Sequence, residues 1–110
     1  MEHRLRKNNQ FSYIYKKGEK FHTEHFALFV VKSKYESYRI GFSISKKLGK
    51  ANKRNKLKRR LKEISRRDLK IPSFCNFVVL AKEGACELDF ATIKNEMIKL
   101  FGKYESKKSV

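Results

Sequence analysis

The chain has 110 residues and a formal net charge of +17, from 28 Lys and Arg against 11 Asp and Glu. That length is one domain, and 40% hydrophobic residues supply a modest core, which excludes several domains and a wholly disordered tail. Self-repulsion at +17 opposes compactness and implies a polyanionic partner.

Residues 1–7 are basic and expected to be a flexible tail. Asn8 can cap a helix over 9–17, with Phe11, Ile14 and Tyr15 as its apolar stripe at i, i+3, i+4. Gly18 stops it. Residues 19–24 leave room for a short edge strand. Residues 26–32 read as a strand, with Phe26, Leu28 and Val30 on one face and Ala27, Phe29 and Val31 on the other. Residues 38–45 read as a second, with Tyr38, Ile40, Phe42 and Ile44 against Arg39, Gly41, Ser43 and Ser45. The short polar loop between them predicts an antiparallel hairpin. The Arg-Gly-Ser-Ser face is either an ordinary solvent face or a surface that a ligand backbone can approach closely.

The stretch 45–67, SKKLGKANKRNKLKRRLKEISRR, dominates the chain. Basic runs this dense are often disordered, but Leu57, Leu61 and Ile64 fall at i, i+4, i+7 and define one face of a helix, with Asn52 as its expected N-cap. At about 100° per residue, Asn55, Arg59, Lys62 and Arg66 point away from that seam. Arg54 and Lys58 lie on one flank, Lys56, Arg60 and Arg67 on the other. Lys50, Lys53, Arg54 and Lys56 crowd the helix N-terminus, where the macrodipole is already positive, so an anion is needed there. A merely solvated face would interleave Glu and Lys at i, i+4, and Glu63 is the lone acid. The pattern is the footprint of nucleic-acid binding.

The basic helix is expected to end near residue 70, before Pro72. Residues 74–81, FCNFVVLA, are apolar on both faces and predict a central, covered strand. Asp89 caps a last helix, with Leu88 and Ile93 as a hydrophobic staple. Phe90, Ile93, Met97, Leu100 and Phe101 form its buried face, Gly102 ends it, and 103–110 are a second flexible tail. The order α-β-β-α-β-α, with a further edge strand near 19–24, is a single-domain α+β sandwich over residues 1–110.

Little here can do chemistry alone. The carboxylates are scattered, without the clusters that hold catalytic metal ions. His22 and His25 lack the further ligands that zinc needs. Cys75 reads as core, and with Cys86 as a pair of reduced thiols in a reducing compartment. No metal site and no catalytic residue is assigned. No apolar run approaches the ~18 residues of a membrane span, and MEHRLRKNNQ has no signal-peptide core. Cytoplasmic residence is the expectation. Nine Phe and five Tyr in a basic protein suit stacking on bases, although aromatic rings also dominate small cores.

Residues 39–63 resemble the bacterial ribonuclease P protein subunit. That family has a strand ending in a Ser-x-Lys-Lys-x-Gly turn, then a helix with an Arg-Asn-Arg signature. Here the turn is carried by Ser45, Lys46, Lys47 and Gly49, and the signature stands as Arg54-Asn55-Lys56, with Lys58, Arg59 and Arg60 beyond. Lys56 departs from the signature; it keeps a phosphate contact but not bidentate geometry. Phe11-Ser-Tyr-Ile-Tyr15-Lys-Lys-Gly18 is similar to the family's first helix, with Gln10 in place of its acid, and Phe26-Ala-Leu-Phe29 and 77–101 also agree in order and spacing.

The resemblance implies a sandwich with a left-handed βαβ crossover, against the right-handed default. It implies a large catalytic RNA as partner, with which the protein removes the 5′ leader of precursor tRNA by metal-assisted hydrolysis. Magnesium would be held mainly by the RNA. Lys46, Lys47, Lys53, Arg54, Asn55, Lys56, Lys58, Arg59, Arg60 and Lys62 are then the candidates for the catalytic RNA, and Phe11, Tyr15 and Phe29 for the single-stranded leader. Neither a membrane nor a protein partner is called for. For Phe11 and Phe29, a core role stands beside the leader role. The alternative function is a ribosomal or other structural RNA-binding protein, which needs the basic helix and no leader cleft.

Overall fold

The computed structural model describes residues 8–69, 71 and 73–108, with side chains between 13 and 106. Helix α1 (Asn8–Lys17) leads into strands β1 (Glu19–His22), β2 (Phe26–Lys32) and β3 (Arg39–Ser43). A 3-10 turn (Lys46–Leu48) precedes helix α2 (Ala51–Arg67). Strand β4 (Cys75–Ala81), a second 3-10 turn (Ala85–Glu87) and helix α3 (Phe90–Lys108) follow. The expected edge strand is therefore present as β1.

The sheet order is β1-β2-β4-β3. The hairpin expected between β2 and β3 does not form, because β4 lies between them. It runs antiparallel to β2, with Val78 opposite Phe29, and parallel to β3, with Val78 opposite Gly41. The cause is burial: Phe77, Val78 and Val79 are wholly inaccessible. A strand that is apolar on both faces needs cover on both and is best placed at the centre. The true hairpin is β1–β2, with Glu19 opposite Val30 and His22 opposite Ala27. β3, α2 and β4 form a parallel crossover unit.

Alternation along the strands produces two cores. Phe26, Leu28, Val30, Ile40, Phe42, Phe77 and Val79 face α2 and α3, and pack on Leu57, Leu61, Ile64, Ile93, Met97, Leu100 and Phe101. Ala27, Phe29 and Val78 face the other way, where Ile14 of α1 covers them. One helix thus covers one face of the sheet, and two helices cover the other. The approach of α1 is close: a Cβ on Gly18 would lie 2.5 Å from the Ile14 carbonyl oxygen and 2.9 Å from that of Val30. Glycine is required there by space.

Several boundaries move. α2 begins with Lys50 as its cap residue, without a side-chain cap, and Asn52 already lies inside the helix, its Oδ1 accepting from the Lys53 N–H at 2.9 Å. It ends at Arg67, where the Asp68 N–H bonds the Ile64 carbonyl. α3 starts as expected, Asp89 Oδ1 accepting from the Thr92 N–H at 2.9 Å. It then runs through Gly102 to Lys108, because Tyr104 is buried against Phe77 and Phe21 and holds the chain to the core. Much of the tail expected from residue 103 is therefore helix, whereas residues 1–7 and 109–110 lie outside the described residues. Phe90, expected in the buried face, is exposed. Buried Glu96 pins α3 to the start of β2, accepting from the His25 N–H at 2.8 Å and pairing with its Nδ1 at 2.6 Å. Burial alone would raise the Glu96 carboxyl, but hydrogen bonds from the His25 backbone and ring and from Thr23 hold it below its ordinary value.

Candidate nucleic-acid interface

The first region is α2 with the turn before it. Leu57, Leu61 and Ile64 are buried, as the helical spacing requires, which anchors a helix whose remaining surface is basic. Ser45 caps the preceding turn, its Oγ accepting from the Lys47 N–H at 3.2 Å, so that Lys46 and Lys47 both project into solvent. Arg54 folds back: its Nε donates to the Gly49 carbonyl at 3.0 Å and fixes turn against helix.

The ten predicted residues of this region divide into two sets. Lys53 pairs with Glu87 at 2.9 Å, and Arg60 Nη1 donates to the Leu88 carbonyl at 3.3 Å, so these two, like Arg54, spend donors on the protein itself. Lys62 is also engaged within the protein. Lys46, Lys47, Asn55, Lys56, Lys58 and Arg59 have no side-chain partner among the described residues, and neither do Lys50 and Arg66, which lie outside the predicted set. A helix face with this many unneutralised cations is a repulsive arrangement that an anionic polymer relieves.

The second region is the sheet face under α1. The strand register lays its residues out in rows. Lys20, Phe29, Val78 and Gly41 form the middle row; His22, Ala27, Leu80 and Ser43 form the row toward the 45–49 turn. Val31, Asn76 and Arg39 form the row at the opposite end. Tyr15 stands over the middle row, its ring 4.8 Å from that of Phe29 and nearly perpendicular to it. Tyr15 is 37% exposed and Phe29 only 7%, so Phe29 serves as floor and Tyr15 as the accessible ring. Phe11 falls in α1, but its side chain lies outside the described residues.

Lys20 is absent from the predicted set, yet its ammonium sits 5.5 Å from the Phe29 ring centroid. Its signal is the alternation of β1, which puts Lys20 on the face opposite Phe21. Gly41 and Ser43 floor the β3 side of the same surface, so the face without bulky apolar groups belongs to the cleft. Gly41 is buried and Ser43 half-buried, so neither adds an exposed apolar group to this surface.

Other chemistry is thin. Among the described residues, no three of His, Cys, Asp or Glu gather where they could hold a metal ion. His25 is committed to Glu96. Cys75 is buried beside the Tyr104 hydroxyl, and burial followed by the Glu87 charge pushes the Cys86 thiol up, away from the reactive thiolate. No helix among the described residues is long and apolar enough to cross a membrane.

Against this geometry, the chain matches a family model described as Ribonuclease P over residues 1–105. The ribonuclease P protein component of Clostridium botulinum is 34% identical over 104 residues, which cover 93% of this chain and 94% of that protein. That of a Geobacter species is 35% identical, covering 94% and 90%. Among solved structures, the RNase P protein of Staphylococcus aureus superposes with a TM-score of 0.88 at 30% identity, over 94% of this chain and 96% of that one. The Thermotoga maritima RNase P protein gives 0.80 at 34% identity, over 88% and 93%.

Proposed function

The chain belongs to the ribonuclease P protein family, and from that premise we propose that its two regions divide the RNA between them. As a ribonuclease P protein component it is a subunit of the ribonucleoprotein endoribonuclease that matures tRNA 5′ ends, and the RNA of that particle is its partner. The basic face of α2 and its preceding turn bind the catalytic RNA; the cleft under α1 binds the single-stranded leader of precursor tRNA. The observation that carries this reading is the set of partnerless cations at Lys46, Lys47, Lys56, Lys58 and Arg59, on a helix anchored by its leucines.

The division follows from chemistry. Cations projecting from a helix neutralise phosphates without reading sequence, and each contact releases counterions. An aromatic ring above an apolar floor, with an ammonium alongside, holds an unpaired base by stacking and its phosphate by charge. Asn55 adds a neutral donor and acceptor among the cations. The protein then acts by position: it ties leader to catalytic RNA, while the divalent ions of the hydrolysis are assigned to the RNA.

Separate substitutions test the division in the particle reconstituted with its catalytic RNA. Arg59→Ala removes a charge-assisted phosphate contact, about 1.5–3 kcal/mol. It weakens assembly with the RNA whatever the substrate and lowers the salt slope by about one. Tyr15→Ala removes a stacking platform, about 1–3 kcal/mol per base. It leaves assembly intact and weakens precursor tRNA but not mature tRNA. Equal losses for leader-bearing and leaderless tRNA, in a Tyr15→Ala protein that folds normally, would sink the assignment of the cleft.

A further inference from the structure

The far end of the cleft face carries a second group of aromatic residues. Tyr35, in the loop between β2 and β3, is 57% exposed. Two cations attend its ring: Lys34 Nζ at 5.5 Å from the centroid and the Arg39 guanidinium carbon at 5.8 Å. Phe74, immediately before β4, is 50% exposed and has a backbone φ of +59°. Bulky side chains rarely adopt that conformation, and such strain collects at functional sites. The two loops are joined by backbone hydrogen bonds, the Phe74 N–H to the Glu36 carbonyl at 3.1 Å and the Ser33 N–H to the Phe74 carbonyl at 2.7 Å. Two exposed rings are thus presented from one tied corner of the sheet.

That corner is continuous with the cleft. Arg39 lies opposite Asn76, which lies opposite Val31, and this row is two residues, about 7 Å, beyond the row of Phe29 and Val78. Among the described residues the buried Asn76 Oδ1 has no hydrogen-bond partner. Exposed cation–π contacts are weaker than base stacking on the same ring. An arriving nucleotide therefore displaces one cation from Tyr35 onto its own phosphate.

We infer that Tyr35 and Phe74, with Arg39, form a second site for unpaired nucleotides of the leader, beyond those held at Tyr15. The inference rests on the cleft reading above, and the register supplies its direction. The opposite row, His22 to Ser43, runs to the 45–49 turn and α2, where the catalytic RNA is assigned. Nucleotides near the cleavage point occupy that end, and those farther upstream reach Tyr35.

The test compares the reconstituted particle's affinity for mature tRNA and for precursors with a truncated or a long leader. Tyr35→Ala and Phe74→Gly each weaken the long-leader precursor about five-fold or more, while the truncated precursor binds as to wild type. Tyr35→Phe, which keeps the ring, keeps the affinity. Phe74→Gly removes the positive-φ strain along with the ring, so its unchanged or raised Tm separates lost binding from lost folding. The inference is overturned if Tyr35→Ala and Phe74→Gly bind the long leader as wild type does while Tyr15→Ala weakens both precursors; the cleft reading then stands alone. It is equally overturned if Tyr35→Ala weakens mature tRNA, or assembly with the RNA, by the same factor, which makes the corner a contact for the catalytic RNA. Failure of the cleft reading looks different: Tyr15→Ala is then silent with both precursors.

Discussion

The basic face of α2 and the cleft face of the sheet take their binding groups from different distances along the chain. The cations of α2 come from one continuous stretch and are held by one seam, Leu57, Leu61 and Ile64. The cleft takes Tyr15 from α1, Lys20 from β1, Phe29 from β2, Val78 from β4 and Gly41 from β3. A helix needs only local spacing and a surface to dock on to present its groups. A cleft needs every strand in register. The first region is thus sensitive to the loss of one anchor, and the second to a slight shift between layers.

The largest expected effect comes from the anchor. Leu61 is wholly buried between α2 and the sheet. Leu61→Ala removes that packing and leaves a cavity, at a cost of about 2–5 kcal/mol. Thermal unfolding should show the loss, and RNA assembly should weaken although no cation has changed. Assembly at wild-type strength in a markedly destabilised protein would mean that the cations act without a docked helix, which breaks the comparison from the α2 side.

A smaller effect is expected at the cleft. Gly18→Ala puts a methyl group against two carbonyl oxygens of α1 and β2. Relief requires the last turn of α1 and its exit into β1 to rearrange against β2, at about 1–3 kcal/mol. Leader-dependent affinity should fall while assembly with the catalytic RNA holds, measured side by side on one preparation. A parallel fall in both would show that the regions are coupled through the sheet.

The smallest concerns Glu96, which belongs to neither region but ties α3 to the sheet between them. Its carboxyl is held below its ordinary value, so it binds fewer protons folded than unfolded. Its contribution is present above the unfolded value of about 4.5 and is lost as pH falls through the folded one. Glu96→Gln should cost about 1 kcal/mol near neutral pH, with the difference in chemical-denaturation midpoint closing below about pH 4.5. A gap that stays constant into acid would remove the charge from the explanation.

Local pattern was enough for the elements whose partners lie close along the chain. The spacing of Leu57, Leu61 and Ile64 predicts both the helix and its buried face, because a helix face repeats within a few residues. Alternation places Phe29 and Gly41 on their correct faces for the same reason, and the resemblance carried by Arg54-Asn55-Lys56 and the 45–49 turn assigns the family. Strand neighbours are another matter. β2 and β3 are adjacent in sequence and satisfy a hairpin pattern, but β4 takes the place between them because only there are both its faces covered. The pairing of Lys53 with Glu87, the folding back of Arg54 onto Gly49, and the continuation of α3 to bury Tyr104 depend on groups that the sequence separates. So does the tied corner of Tyr35 and Phe74, whose residues are distant in the chain and share no motif. Sequence determines which side chains share a face, since that is geometry within one element; tertiary structure alone decides which cations remain free and which rings meet, since that depends on what packs beside them.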